Sequence, residues 1–160
     1  RKSPTHQCTR VARGPATTDA LAAGAAEFSD RRVLRRKRGR EGDAERGRRV
    51  RRAAPESRLI VDANEGWSAG QLPDLLRMCE DVGVELVEQP LPAGDDEALR
   101  NIRQKVTICA DESAHGLDNL HQLVGKYDAI NIKLDNTGGL TEALALAHAA
   151  HARDCKHKVA

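Results

Sequence analysis

Five residues able to carry chemistry recur at nearly even spacing: Lys37, Asp62, Glu88, Asp111 and Lys133, separated by 25, 26, 23 and 22 positions. Each closes an apolar or partly apolar run, in LRRKRG, LIVDANEGW, ELVEQPLP, TICADES and AINIKLDNTGG respectively. In LIVDAN the two-residue period of a strand puts Ile60, Asp62 and Asn64 on one face and Leu59, Val61 and Ala63 on the other. The interval is about one strand plus one helix, as a repeated βα unit produces. Parallel strands alternating with helices bring their C-terminal ends to one face of a sheet or barrel, so the five groups are expected to converge there. Three carboxylates held together repel one another unless a cation neutralises them. Oxygen donors without His or Cys favour a hard ion, Mg²⁺ first and Mn²⁺ second. The lysines flank the carboxylates in strand order, which in a closed barrel places them on opposite sides of the metal.

The elements that must position these groups follow from local signals. Residues 1–16 carry no periodicity and are expected to be irregular or a degraded first strand, with a partial (β/α) barrel over 17–160. Thr17 or Thr18 can cap a helix through DALAAGAAEF. A strand is expected over 33–38, carrying Arg35 and Lys37 inward and turning Leu34, Arg36 and Arg38 toward a helix layer that should be apolar. Asp43 is expected to cap a helix over 44–54, ended by Pro55. Ser68 opens the next, with Leu72, Leu75, Leu76, Cys79 and Val82 at helical spacing and Gly83 closing it. Asp95 or Asp96 starts a short helix through Ile102. Further helices are expected over 117–124 and 140–152, and a strand from Cys155 to Ala160. That makes six or seven strands. The 160 residues fall short of the roughly 250 of a complete (β/α)8 barrel, so the fold class expected is α/β, an incomplete TIM-type barrel.

Composition narrows the function classes. One Phe, one Tyr and one Trp among many Ala, Leu and Val imply an aliphatic core. No apolar run approaches about 18 residues and no charged-start leader opens the chain, so neither a membrane span nor a signal peptide is expected, and a cytoplasmic location is. Cys8, Cys79, Cys109 and Cys155 lack C-x-x-C spacing and read as reduced, mostly buried thiols rather than a zinc or redox site. The net charge of +2 conceals a basic run over 31–52, which leaves the rest of the chain net acidic. A nucleic-acid patch is the rival reading from another functional class, but the run has no interleaved aromatics and no recognisable reading motif.

VDANEGW, VEQPLP, ADES and NIKLDNTGG resemble the metal-ligand and base motifs of the enolase superfamily, in its muconate lactonizing enzyme subgroup, and most closely its dipeptide (L-Ala-D/L-Glu) epimerases. The resemblance implies an enolase C-terminal-domain-like barrel, with a capping domain and the last strands outside these residues. It implies Asp62, Glu88 and Asp111 as metal ligands, Lys133 as one acid/base and, through a K-x-K motif falling on Arg35, Arg36 and Lys37, Lys37 as the other. The superfamily's known chemistry comes with it: a Lys or His base abstracts a proton α to a carboxylate, and Mg²⁺ stabilises the enediolate. With a lysine on each face the outcome is epimerisation of a small carboxylate substrate, a dipeptide by resemblance. A cycloisomerase or an o-succinylbenzoate synthase of the same superfamily is the alternative, followed by an inactive fragment. A homo-oligomer is compatible with all of these. The sequence departs from the pattern at Arg35, at Asn136, where a lysine is usual, and at His157 and Lys158 in the seventh strand.

Asn64, Glu112 and Asn131 read as groups that orient the ligands or the lysine. Ser113 has no His at a matching strand end and is not read as a nucleophile. His148 and His151, one turn apart, read as a wet helix face. Trp67 is expected to pack a loop over the site, and Gly138 and Gly139 to form a βα turn.

Overall fold

The computed structural model describes residues 9–11, 31–35, 40–134, 137–153 and 155–159. Its strands are β1 (Thr9–Val11), β2 (Arg31–Arg35), β3 (Arg58–Asp62), β4 (Val84–Glu88), β5 (Thr107–Ala110), β6 (Ala129–Ile132) and β7 (Lys156–Val159). The helices are α1 (Arg40–Ala53) after β2, α2 (Leu72–Asp81) after β3, α3 (Leu120–Leu123) after β5 and α4 (Leu140–His151) after β6. The seven strands form one sheet in sequence order, every neighbouring pair parallel. This is the barrel-type winding that the repeated spacing implies. Among the described residues the sheet is open, with β1 and β7 at its edges. No helix among them is long and apolar enough to cross a membrane.

Strand alternation divides the residues as expected. Leu59, Val87, Ile108, Ile130 and Ile132 are fully buried and share one core with Leu72, Leu76 and Cys79 of α2 and Leu146 and Ala150 of α4. Burying each such Leu, Ile or Val contributes about 1.5–3 kcal/mol. On the other face, Ile60 and Leu86 are only half-buried and lead up to Asp62 and Glu88.

Several boundaries differ from the sequence reading. The strand expected over 33–38 is Arg31–Arg35, and its register sets Arg35, not Lys37, opposite Asp62. Lys37 lies outside the described residues, as does the helix expected from Thr17. Within 1–16 the structure has a short strand, Thr9 pairing with Arg32. Helix α1 begins at Arg40, ahead of Asp43, which therefore falls within the helix and does not precede it. Helix α2 begins at Leu72, with Pro73 in its first turn; Ser68 instead makes a preceding turn in which its carbonyl accepts from Gln71 and Leu72. Asp96 heads a 3-10 turn, Glu97–Asn101, without capping it, because its carboxylate is engaged elsewhere. A second 3-10 turn, Leu117–Asn119, replaces the first half of the helix expected over 117–124. The three described cysteines are free and buried, and His148 and His151 are exposed.

Part of the basic run holds the fold together. The Arg51 guanidinium donates to the carbonyls of Val82 (2.8 Å), Pro55 (2.7 Å), Ser57 (2.8 Å) and Gly83 (2.9 Å). It therefore clasps the end of α2 and the entries to β3 and β4, and Gly83, at φ +70°, leaves it room. Arg48, Arg49 and Arg52 gather around Glu45 on the exposed face of α1. Arg51→Met is expected to cost about 1.5–3 kcal/mol in urea melts, with Arg51→Lys recovering only part because an ammonium lacks the planar fork. A Met variant as stable as the parent would show that water serves those carbonyls equally well.

Candidate active site

The C-terminal ends of β3, β4 and β5 are locked together by backbone bonds that run past the strands. Asp62 is in register with Glu88, and Glu88 with Cys109. Beyond them, Ala63 donates its N–H to Glu88 O (3.0 Å), Glu65 to Gln89 O (2.8 Å), and Gln89 to Cys109 O (2.9 Å). Asn64, Glu65 and Gln89 take positive φ angles of 48°, 58° and 34°. For side chains other than glycine that conformation costs on the order of 1–3 kcal/mol each and clusters at functional sites. Trp67, nearly fully buried, donates its N–H to Pro90 O and packs this turn into the core.

The side chains on this rim form a polar group whose carboxylates on the three strand ends are buried. Asp62, Glu88 and Asp111 are each less than a tenth exposed. Asn64 Nδ2 donates to Asp62 Oδ1 (2.6 Å), and Asn131 Nδ2 to Asp111 Oδ1 (3.1 Å). Lys133 Nζ lies 2.6 Å from Asp111 Oδ1 and 2.8 Å from Oδ2, straddling the carboxylate. Burial acts to lower the Lys133 pKa, but the bond to Asp111 and the charges of Asp111, Glu112 and Asp62 outweigh it and hold the ammonium above the usual lysine value. Burial pushes the Glu112 carboxyl up, reinforced by Asp111, Glu65 and Asp62 against a bond from its own backbone. The turn behind Lys133 is closed by Thr137 Oγ1 donating to Lys133 O (3.1 Å) and by Gly138 and Gly139, both at positive φ.

Of the residues singled out in the sequence, the structure brings Asp111, Asn131 and Lys133 into direct contact and sets Asp62 with Asn64 within electrostatic reach of Lys133 and Glu112. Glu88 stands beside Asp62 in register. Among the described residues no three His, Cys, Asp or Glu side chains are gathered around one point as metal ligands. In chemistry the group nonetheless suits a hard cation: its donors are oxygens, and Asn131 Oδ1 and Glu112 Oε2 are buried without a hydrogen-bond partner.

Beneath the rim lies a network that periodicity does not reveal. Gln89, fully buried, joins Asp111, Ser113, Leu91 and Tyr127. Tyr127 OH and Ser113 Oγ donate to Asp96 Oδ2 (2.7 and 3.2 Å), and Lys126 Nζ to Asp96 Oδ1 (2.6 Å). Ser113 is thus a buried link between Gln89 and Asp96. The available signal is a Gln directly after Glu88 at a helix-facing position that should be apolar.

Known proteins resemble this chain in sequence and in winding. An L-Ala-D/L-Glu epimerase of Escherichia coli (strain K12) is 55% identical over 104 residues, which are 65% of this chain and 32% of that protein. An N-acetyl-D-glutamate racemase of a Pseudoalteromonas species is 48% identical over 101 residues, 63% of this chain and 32% of that one. The crystal structure of a dipeptide epimerase from Cytophaga hutchinsonii, complexed with Mg and the dipeptide D-Ala-L-Val, matches with a TM-score of 0.89 and 27% identity over 96% of this chain and 44% of that one. The chain spans about a third of the length of these curated relatives. Residues 19–159 match the family described as enolase C-terminal domain-like, so the open parallel sheet is an incomplete barrel of that type and the chain belongs to this family.

Proposed function

We propose that this chain supplies the catalytic barrel of a Mg²⁺-dependent isomerase that inverts the carbon α to a carboxylate, with dipeptides of the L-Ala-D/L-Glu kind as substrates. The observation that carries it is Lys133 Nζ fixed on the buried Asp111 carboxylate, at the rim where Asp62 and Glu88 end neighbouring strands. Asp62, Glu88 and Asp111 are the residues that would hold the metal, oriented by Asn64, Asn131 and Glu112. A bound Mg²⁺ would supply Lewis-acid stabilisation of the charge that builds on the substrate carboxylate, and with Asp111 engaged as its ligand Lys133 would lose the partner that holds its ammonium.

In this reading the chain's own residues move the protons. Lys133 follows β6 and Lys37 comes after β2 in the sequence, and these two strands flank the three carboxylate-bearing strands β3 to β5. One lysine, neutral, takes the α-proton; the C–H bond breaks and its electron pair flows into the carboxylate. The other, protonated, returns a proton to the opposite face of the carbon. A cytoplasmic setting belongs to the proposal and fits the free, buried thiols of Cys79, Cys109 and Cys155.

The two curated relatives favour a second substrate, since their names share a glutamate acylated on nitrogen. Incubating the full-length protein in D₂O with L-Ala-L-Glu or with N-acetyl-glutamate separates the two. Deuterium is expected at the glutamate α-carbon of the dipeptide with Mg²⁺ present, and none after EDTA treatment. Exchange confined to N-acetyl-glutamate would reassign the substrate; none in either would overturn the reading.

A further inference from the structure

We propose that Gln89 positions Asp111 for cation binding, as the side chain through which the end of β4 sets the end of β5. The proposal rests on Asp111 belonging to the metal set described above. Strand β5 ends at Ala110, so Asp111 is the first residue beyond the regular ladder. Its N–H is taken by Gln89 Oε1 at 2.9 Å, and the same oxygen takes the N–H of Ser113 at 3.0 Å. One buried side-chain oxygen therefore sets the path of the backbone on both sides of Glu112.

The amide can sit only one way round. Gln89 Nε2 lies 2.8 Å from Leu91 O, 2.8 Å from Ser113 Oγ and 2.9 Å from Tyr127 OH. A flipped amide would face two backbone N–H donors with its NH₂ and Leu91 O with its carbonyl, losing three bonds in a fully buried place. The Gln89 backbone is held as firmly, donating to Cys109 O (2.9 Å) and accepting from Glu65 (2.8 Å), at a φ of +34° that a glutamine rarely adopts. Gln89 thereby connects the turn after β3, through Glu65, to the residue whose carboxylate meets Lys133 and Asn131. Groups one step behind a ligand typically govern metal affinity by about 10- to 100-fold, because the ligand must be held before the ion arrives.

The test uses Mn²⁺ as a paramagnetic probe on the full-length protein, together with amide hydrogen exchange read without metal. Gln89→Met keeps the length and burial of the side chain and removes both functions. It is expected to weaken Mn²⁺ binding by about 10- to 100-fold and to speed exchange at Asp111 and Ser113, while Ile108 of β5, whose N–H is held by the Asp128 carboxylate just before β6, keeps its protection. Arg51→Met, which loosens the opposite rim, serves as the destabilised control and is expected to keep wild-type Mn²⁺ affinity. Gln89→Glu keeps the acceptor and loses the donor; it should retain protection at Asp111 and Ser113, and it carries the test if the Met variant does not fold. Equal loss of Mn²⁺ affinity in the Gln89 and Arg51 variants would overturn the proposal, as would unchanged exchange at the two amides. A wild type that binds no Mn²⁺ but shows the localised exchange effect would retire the metal assignment and keep the positioning of Asp111.

Discussion

Lys133→Ala is expected to abolish measurable epimerisation in the full-length protein, a loss on the order of 10²–10⁴-fold or more, while leaving slow deuterium exchange at the α-carbon of one epimer only. The asymmetry follows from position. Lys133 follows β6 and lies on Asp111, whereas the second base of our proposal, Lys37, comes after β2 in the sequence, and β2 and β6 flank the carboxylate strands. Removing one base deletes proton transfer on one face and leaves the other. Inversion needs both faces, whereas exchange with solvent needs one. The substitution should not unfold the protein, since Lys133 is only partly buried and Asp111 keeps its bond from Asn131. Following deuterium in L-Ala-L-Glu and L-Ala-D-Glu separately by NMR checks this. Parental epimerisation in the variant would sink the two-base scheme, and loss of exchange from both epimers would show that Lys133 does more than serve one face.

How much of this was legible in the sequence depends on whether the partners lie on one strand or on several. The fold is visible because Leu59, Val61 and Ala63 alternate with Ile60, Asp62 and Asn64 within one strand, and because the interval from Asp62 to Glu88 repeats. Register between strands is less visible. The even interval reads Lys37 as the end of a strand over 33–38, whereas the strand is Arg31–Arg35 and Arg35 is the residue paired with Asp62. Side-chain partners drawn from distant strands leave no periodic trace at all. Asp96 reads as a helix cap because an acid before a short helix commonly is one; in the fold it faces Lys126 and Tyr127, about thirty residues on. Arg51 reads as one more charge in a basic run, yet its neighbours are four carbonyls, groups that every residue carries and no sequence pattern marks. The carboxylates of the rim are legible for the opposite reason, since an acid that ends an apolar strand needs a cation or donors, whatever the fold around it.

Asp96→Asn is expected to be the most damaging substitution away from the rim, costing about 3–5 kcal/mol. Both partners of the Asp96–Lys126 pair are almost fully buried, and the variant would leave the Lys126 ammonium with only Glu97, at 3.2 Å and largely in solvent. It would also leave Tyr127 OH and Ser113 Oγ facing a neutral amide in place of a carboxylate, and so loosen the groups packed around Gln89. Lys126→Met alone should cost less, because Tyr127 and Ser113 still donate to Asp96. The double variant is expected to be more stable than the two single losses summed would allow, since no unpaired charge remains. Acid supplies an independent check. Burial acts to raise the Asp96 pKa, but bonds from Lys126, Tyr127 and Ser113 outweigh it, so the folded value lies below the ordinary carboxylate range. A group depressed in the folded state contributes its stability in full above its unfolded pKa, about 3.9 for Asp. That contribution is lost as pH falls through the folded value. Urea melts between pH 7 and pH 3 should therefore show the wild type losing stability at the acid end, and Asp96→Asn following a flatter course from a lower start. Parallel curves would show that the pair is no stronger in the fold than in the unfolded chain.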